Sequence, residues 1–214
     1  MAKPKSVRDP VVLREWRDAN AKDLPLALGL DLGRSTGASY CFFDPKKPIT
    51  AESIAPVSIF QMDLTPGTYE SGLVAHVRLR HFLHELKPAI VFYELVRHTP
   101  PGGLTKFNIA QVMAREYPAA RFLGSLLGVV GGYCEEHDIP CIGLEIGSIK
   151  KRATGKGNAN KEDMIRAANT LFGTDLEVEG YETLGTDNMA DSAFVLLTGL
   201  EQTSYGVTKD TTHE

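Results

Sequence analysis

The chain has 214 residues, 43% of them hydrophobic and 23% charged, with a formal net charge of −4. That is enough for one domain with a core, the composition is ordinary for a soluble globular protein, and the net charge does not by itself advertise nucleic-acid binding. No apolar run reaches the ~18 residues of a membrane span, and the basic N-terminus lacks the apolar segment of a secretory signal.

Residues 1–23 read as a basic leader. Lys3, Lys5, Arg8, Arg14, Arg17 and Lys22 stand against Asp9, Glu15 and Asp18, and Val11, Val12, Leu13 and Trp16 outline a short amphipathic helix. Such a leader packs on the domain or, in the sharper reading, touches phosphate. The domain itself is expected over 24–201, with a polar tail over 202–214.

Residues 26–32 predict the first strand. Leu24, Leu26, Leu28, Leu30 and Leu32 fall on one face, and Pro25, Ala27, Gly29 and Asp31 on the other. The leucine face calls for burial, while the opposite face offers small residues leading to one carboxylate. Gly33 and Gly37 bracket a turn before a second strand over 36–43. Asp31 is therefore expected on rigid backbone at a sheet edge, as a catalytic group or as a turn cap. A third strand is predicted over 51–61, placed outermost by Pro56, which lacks a backbone donor.

A helical pattern covers 69–86, with Leu73, Val77, Arg80 and His84 on one side and Leu79, Phe82, Leu83 and Leu86 widening the apolar stripe. His76, His81 and His84 have no Cys or carboxylate spacing to support a metal reading. The apolar run 89–93 predicts a strand buried on both faces and ends in Glu94. A right-handed crossover places it parallel beside strand one, which makes Asp31 and Glu94 neighbours at the carboxyl ends. Two carboxylates there repel unless a cation lies between them, and oxygen-only ligands suit Mg²⁺ or Mn²⁺.

Residues 95–110 predict a loop in which Arg97, His98 and Lys106 add positive charge and Phe107 either tucks back or stacks on a base. A second helix is predicted over 115–137, where Gly124, Gly128 and Gly132 recur on one face. Each helix glycine costs roughly 1 kcal/mol relative to Ala, so the stripe implies close backbone approach, expected against the sheet. A short fifth strand follows over 140–144. Lys150, Lys151, Arg152, Lys156 and Lys161 then come with no acid among them, around Gly155-Lys156-Gly157. This stretch predicts a flexible basic loop, either solvated or phosphate-binding, ahead of a helix over 161–172. It lacks the Walker A pattern. The last helix opens near Thr186, where Asp187 and Asp191 share a face. Asp187 suits a first-turn acid, but Asp191, flanked by Ala190 and Ala193, is harder to explain that way. The odd count of cysteines, Cys41, Cys134 and Cys141, has no metal-ligand spacing and suggests reduced, buried thiols in a cytoplasmic protein.

The order of these elements resembles the ribonuclease H-like fold and, within it, the RuvC family of Holliday junction resolvases. Gly29 to Gly37 is similar to the family's G-x-D-x-G-x-x-x-T-G opening with a turn one residue shorter. Lys151 to Met164 resembles its K-x-x-x-x-G-x-G-x-A-x-K stretch, and Asn188 to Ala193 its last helix with an A-D-A core. The long leader and the 95–110 loop are similar to phage-encoded members.

The resemblance implies a five-stranded mixed α/β sheet: a three-strand antiparallel meander plus two parallel strands. It implies an endonuclease that cuts four-way DNA junctions by paired nicks as a homodimer, in the cytoplasm of a bacterium or phage-infected host. Asp31, Glu94, Asp187 and Asp191 would hold two Mg²⁺, with Asn188 the alternative to Asp187. Lys151 and Lys161 match basic positions near the scissile phosphate. Arg97, Lys106, Phe107, Lys150, Lys151, Arg152, Lys156 and Lys161 are the expected DNA contacts. Leu95-Val96-Arg97-His98 follows Glu94 where the family often places an aromatic, which bears on cut-site and junction preference. The alternatives are a broader branched-DNA or RNA–DNA hybrid nuclease of the same fold, a scaffold without catalysis, and an actin- or hexokinase-like phosphotransferase. The last shares the Asp31-Leu32-Gly33-Arg34-Ser35-Thr36-Gly37 type of turn.

Overall fold

A computed structural model describes residues 23–54, 57–64, 73–95 and 109–203. Residues 1–22 of the leader, Pro56, the loop residues Arg97, His98, Lys106 and Phe107, and the end of the tail lie outside the described residues. The elements are β1 (Leu26–Asp31), β2 (Ser35–Phe42), β3 (Ser58–Asp63), α1 (Leu73–Leu86), β4 (Ile90–Leu95) and α2 (Ile109–Glu136). They continue with β5 (Cys141–Glu145), α3 (Ile146–Thr154), α4 (Lys161–Phe172), α5 (Tyr181–Leu184) and α6 (Thr186–Thr203).

The sheet order is β3-β2-β1-β4-β5. β1, β2 and β3 form the antiparallel meander, and β4 and β5 run parallel to β1. The alternation read in β1 decides the layering. Leu26, Leu28, Leu30 and Leu32 join a core with Leu79 and Leu83 of α1 and Leu126 and Val130 of α2. On the other face Ala27 and Phe92 pack with Phe194, Val195, Leu196 and Leu200 of α6 and with Met164 and Ile165 of α4. Full burial of each large side chain contributes roughly 1.5–3 kcal/mol.

The small residues of β1 and β2 let α6 lie directly on the sheet. A Cβ on Gly29 would sit 2.6 Å from the Leu196 nitrogen and the Ser192 oxygen, and one on Gly37 1.8 Å from the Asn188 oxygen. The hydroxyls of Ser39 and Ser192 close the same seam with a hydrogen bond of 2.6 Å.

Five expectations are corrected. The third strand starts at Ser58, because Thr50 and Ser53 exchange side-chain–backbone hydrogen bonds and hold 51–54 in a turn. In α1 the buried stripe is Ala75, Leu79, Leu83 and Leu86, which leaves Val77 66% exposed. Helix α2 begins at Ile109, inside the expected loop, and its glycine stripe does not face the sheet. Gly124, Gly128 and Gly132 are exposed, and a Cβ on any of them meets nothing within 4 Å. Finally, the basic stretch is not all loop. Residues 146–154 are helical, and the chain breaks only at Gly155, whose φ of 77° is the left-handed cap that glycine accepts without strain.

Candidate metal centre

Asp31 ends β1 and Glu94 lies near the end of β4, with Leu30 opposite Tyr93 in a parallel ladder. The two acids are therefore level on neighbouring strands. Both point to the α6 face, since each lies two residues beyond a residue packed there, Gly29 and Phe92. Asp187 stands in the first turn of α6 and Asp191 one turn further. Because α6 crosses β1 and β2 at backbone contact, its first two turns lie over the end of β1.

The other acids bear on Asp31 and Asp191. Burial raises the Asp31 carboxyl well above the usual range, and the charges of Asp191, Glu94 and Asp187 raise it further, against Lys161. Asp191 is pushed up to about 7 by burial, then by Glu94 and Asp187, with Lys150 and Lys161 opposing. Burial also raises Glu94, and Lys150 opposes it. Acids from three elements thus share one low-dielectric space in which full ionisation is unfavourable without added positive charge.

The donor set is all oxygen, which fits Mg²⁺ or Mn²⁺. Among the described residues no three of these side chains form a ready coordination cage as they stand. Asp187, buried in the protein, is hydrogen-bonded to the Lys161 ammonium. Asn188 is also engaged: its amide donates to the Ser35 carbonyl at 2.9 Å, and Ser35 Oγ accepts from Gln61 Nε2. The amide ties the turn after Asp31 to the start of α6.

The predicted basic residues separate by helix phase. Lys150 faces the acids and donates to the Ala159 carbonyl at 2.8 Å. Lys151 is exposed and has no part in the shifts of the acids. Arg152 turns the other way and grips Glu201 of α6 through two hydrogen bonds of 2.6 and 2.8 Å. Lys156 is exposed on the turn before α4, and Lys161 stands beside Asp187. Of Lys150 and Lys151, Lys150 is the one whose charge opposes the raised carboxyls of Glu94 and Asp191. Counted back from Gly155, the K-x-x-x-x-G spacing starts at Lys150.

His76 bonds Ser125 at 2.8 Å, a helix–helix contact. The cysteines are free thiols; Cys41 and Cys134 are buried and Cys141 partly so. Among the described residues no helix is long and apolar enough to cross a membrane.

No protein-family model matches the sequence, and no curated protein matches it. Solved structures do. The chain is similar to RuvC of T. thermophilus in complex with a Holliday junction substrate, at a TM-score of 0.59 and 18% identity over 85% of this chain and 96% of that one. A second Thermus thermophilus RuvC structure gives 0.56 and 17% over 85% and 97%. The yeast mitochondrial Holliday junction resolvase gives 0.50 and 19% over 94% and 88%. The chain has the ribonuclease H-like fold in the arrangement of the RuvC resolvases.

Proposed function

We propose that this protein is a metal-dependent, structure-specific endodeoxyribonuclease that resolves four-way DNA junctions by paired nicks. The observation that carries the reading is the meeting of Asp31, Glu94, Asp187 and Asp191 on one face of a RuvC-like sheet, with Lys150 and Lys161 at its rim. These four carboxylates would hold Mg²⁺, with Asp187 rather than Asn188 as the fourth, because a carboxylate binds a hard divalent cation better than a neutral amide does. Bound there, the metal supplies an activated water for attack on phosphorus and charge neutralisation at the leaving oxygen.

The chain's own groups do the remaining work. β1 and β4 fix Asp31 and Glu94 on rigid backbone, and α6 brings the other two acids down to them. Lys150, anchored on the Ala159 carbonyl, offers its charge to a phosphate beside the acids. Lys151 and Lys156, both exposed, suit backbone contacts further along the strand. Two symmetric cuts require two sites, so the reading includes a homodimer.

Labelled four-way junction, flap, linear duplex and RNA–DNA hybrid are incubated with Mg²⁺ and wild-type protein or Asp31→Asn. Paired symmetric nicks confined to the junction, absent from the variant, are the expected result. Cutting of every branched substrate, or of the hybrid alone, would replace junction resolution by a broader or hybrid-specific nuclease. Tight junction binding without cutting in Mg²⁺ or Mn²⁺ would leave a scaffold. In the same assay Lys150→Met is expected to lower the nicking rate by roughly 10²-fold. Lys151→Met should weaken binding and flatten its salt dependence by about one charge.

A further inference from the structure

Lys161 is placed where its own helix disfavours it. It is the first residue of α4, next to the Asn160 cap, and a helix N-terminus carries partial positive charge. What holds the ammonium there is Asp187, which it reaches with a direct hydrogen bond. The partners are unequal: the lysine side chain is 55% exposed and the aspartate side chain 5%. A buried carboxylate has thus taken a half-exposed ammonium as its counter-charge. The Lys161 ammonium also stands 5.5 Å over the Tyr181 ring, so it has a second attractive surface at the site's rim and can leave Asp187 without being buried alone. Lys150 differs, since its ammonium is anchored on a backbone carbonyl.

An oxygen that accepts from an ammonium is not available on that side to a metal ion. Resting on the metal-dependent reading above, we propose that Lys161 is the resident counter-cation of Asp187, displaced when a divalent cation binds on the Asp187 side of the centre. Lys161 then sets the metal concentration at which that position fills. Once released, its ammonium stands at the rim, where a DNA phosphate arrives.

The test is Mn²⁺ binding, followed by the loss of the free-ion paramagnetic resonance signal, with no DNA and no turnover. Wild type, Lys161→Met, Lys161→Arg, Lys150→Met and Asp187→Asn are compared. Lys161→Met is expected to tighten the weaker Mn²⁺ position by roughly tenfold, the size of a lost charge-assisted hydrogen bond. Lys161→Arg should keep the wild-type threshold, Lys150→Met should change it by less than Lys161→Met does, and Asp187→Asn should abolish the weaker position. Equal tightening by Lys150→Met and Lys161→Met would reduce the effect to general charge and overturn the proposal. So would an unchanged threshold in Lys161→Met. In both cases wild type still binds Mn²⁺, and the metal-dependent reading survives. Failure of wild type and every variant to bind Mn²⁺ would overturn both.

Discussion

Glycine recurs in two regions of this chain, and the two regions use it in opposite ways. At the seam between α6 and the β1–β2 hairpin, Gly29 and Gly37 are buried, and added Cβ atoms would lie 2.6 and 1.8 Å from helix backbone. On α2, Gly124 and Gly128 look out, and an added Cβ would touch nothing within 4 Å. In the seam the missing side chain sets a distance, and that distance delivers Asp187 and Asp191 to Asp31. On α2 the same residue type only weakens a helix in the described structure. A glycine therefore acquires meaning from what is packed on it, not from its spacing along the chain.

The sharpest way to break this contrast is Gly37→Ala. Its methyl would have to displace the Asn188 carbonyl, so α6 must lift from the hairpin. A loss of about 3 kcal/mol or more is expected in denaturant unfolding. A loss comparable to an ordinary surface substitution would mean that the seam yields easily.

A second, smaller effect tests the acids that the seam collects. Asp191 is pushed up to about 7 in the fold, whereas in the unfolded chain it ionises in the ordinary carboxylate range. Its contribution to stability is therefore complete below that range and is lost as pH rises through about 7. Asp31, also raised, acts in the same direction. With a chelator present, the wild-type melting temperature should fall through this window relative to Asp191→Asn, and added Mg²⁺ should cancel the difference. Parallel pH profiles would mean that the carboxylates do not press on one another.

The smallest effect has the opposite sign. Gly124→Ala, in open space within a helix, should stabilise the protein by up to about 1 kcal/mol. A destabilisation would show that something covers this face in solution.

Much of the architecture was legible because β1 and β4 report their own burial. Leucine alternation in β1 fixed its two faces, and the unbroken apolar run of β4 marked a central strand. The meander and one parallel crossover then leave few ways to order the sheet, and they bring Asp31 level with Glu94. The i,i+4 pair Asp187 and Asp191 needed only a helix to share a face.

What was not legible depends on phase and on partners. Lys150, Lys151 and Arg152 are consecutive, and only the helical turn that carries them decides which faces the acids, which faces solvent and which faces Glu201. Reading Gly155-Lys156-Gly157 as a loop was right for those residues but extended the loop too far upstream, since a terminal glycine stops a helix without preventing one. The Asn188 bond to Ser35 joins residues 153 apart in sequence, so no local pattern announces it.

Anomalous diffraction from crystals grown with Mn²⁺ would locate a cation at the four acids or show that none binds there. An anomalous peak is expected among the carboxylates of Asp31, Glu94, Asp187 and Asp191, with the Asn188 amide still on the Ser35 carbonyl. No peak there at saturating Mn²⁺, or a peak coordinated by Asn188 in place of Asp187, would contradict a four-carboxylate metal centre.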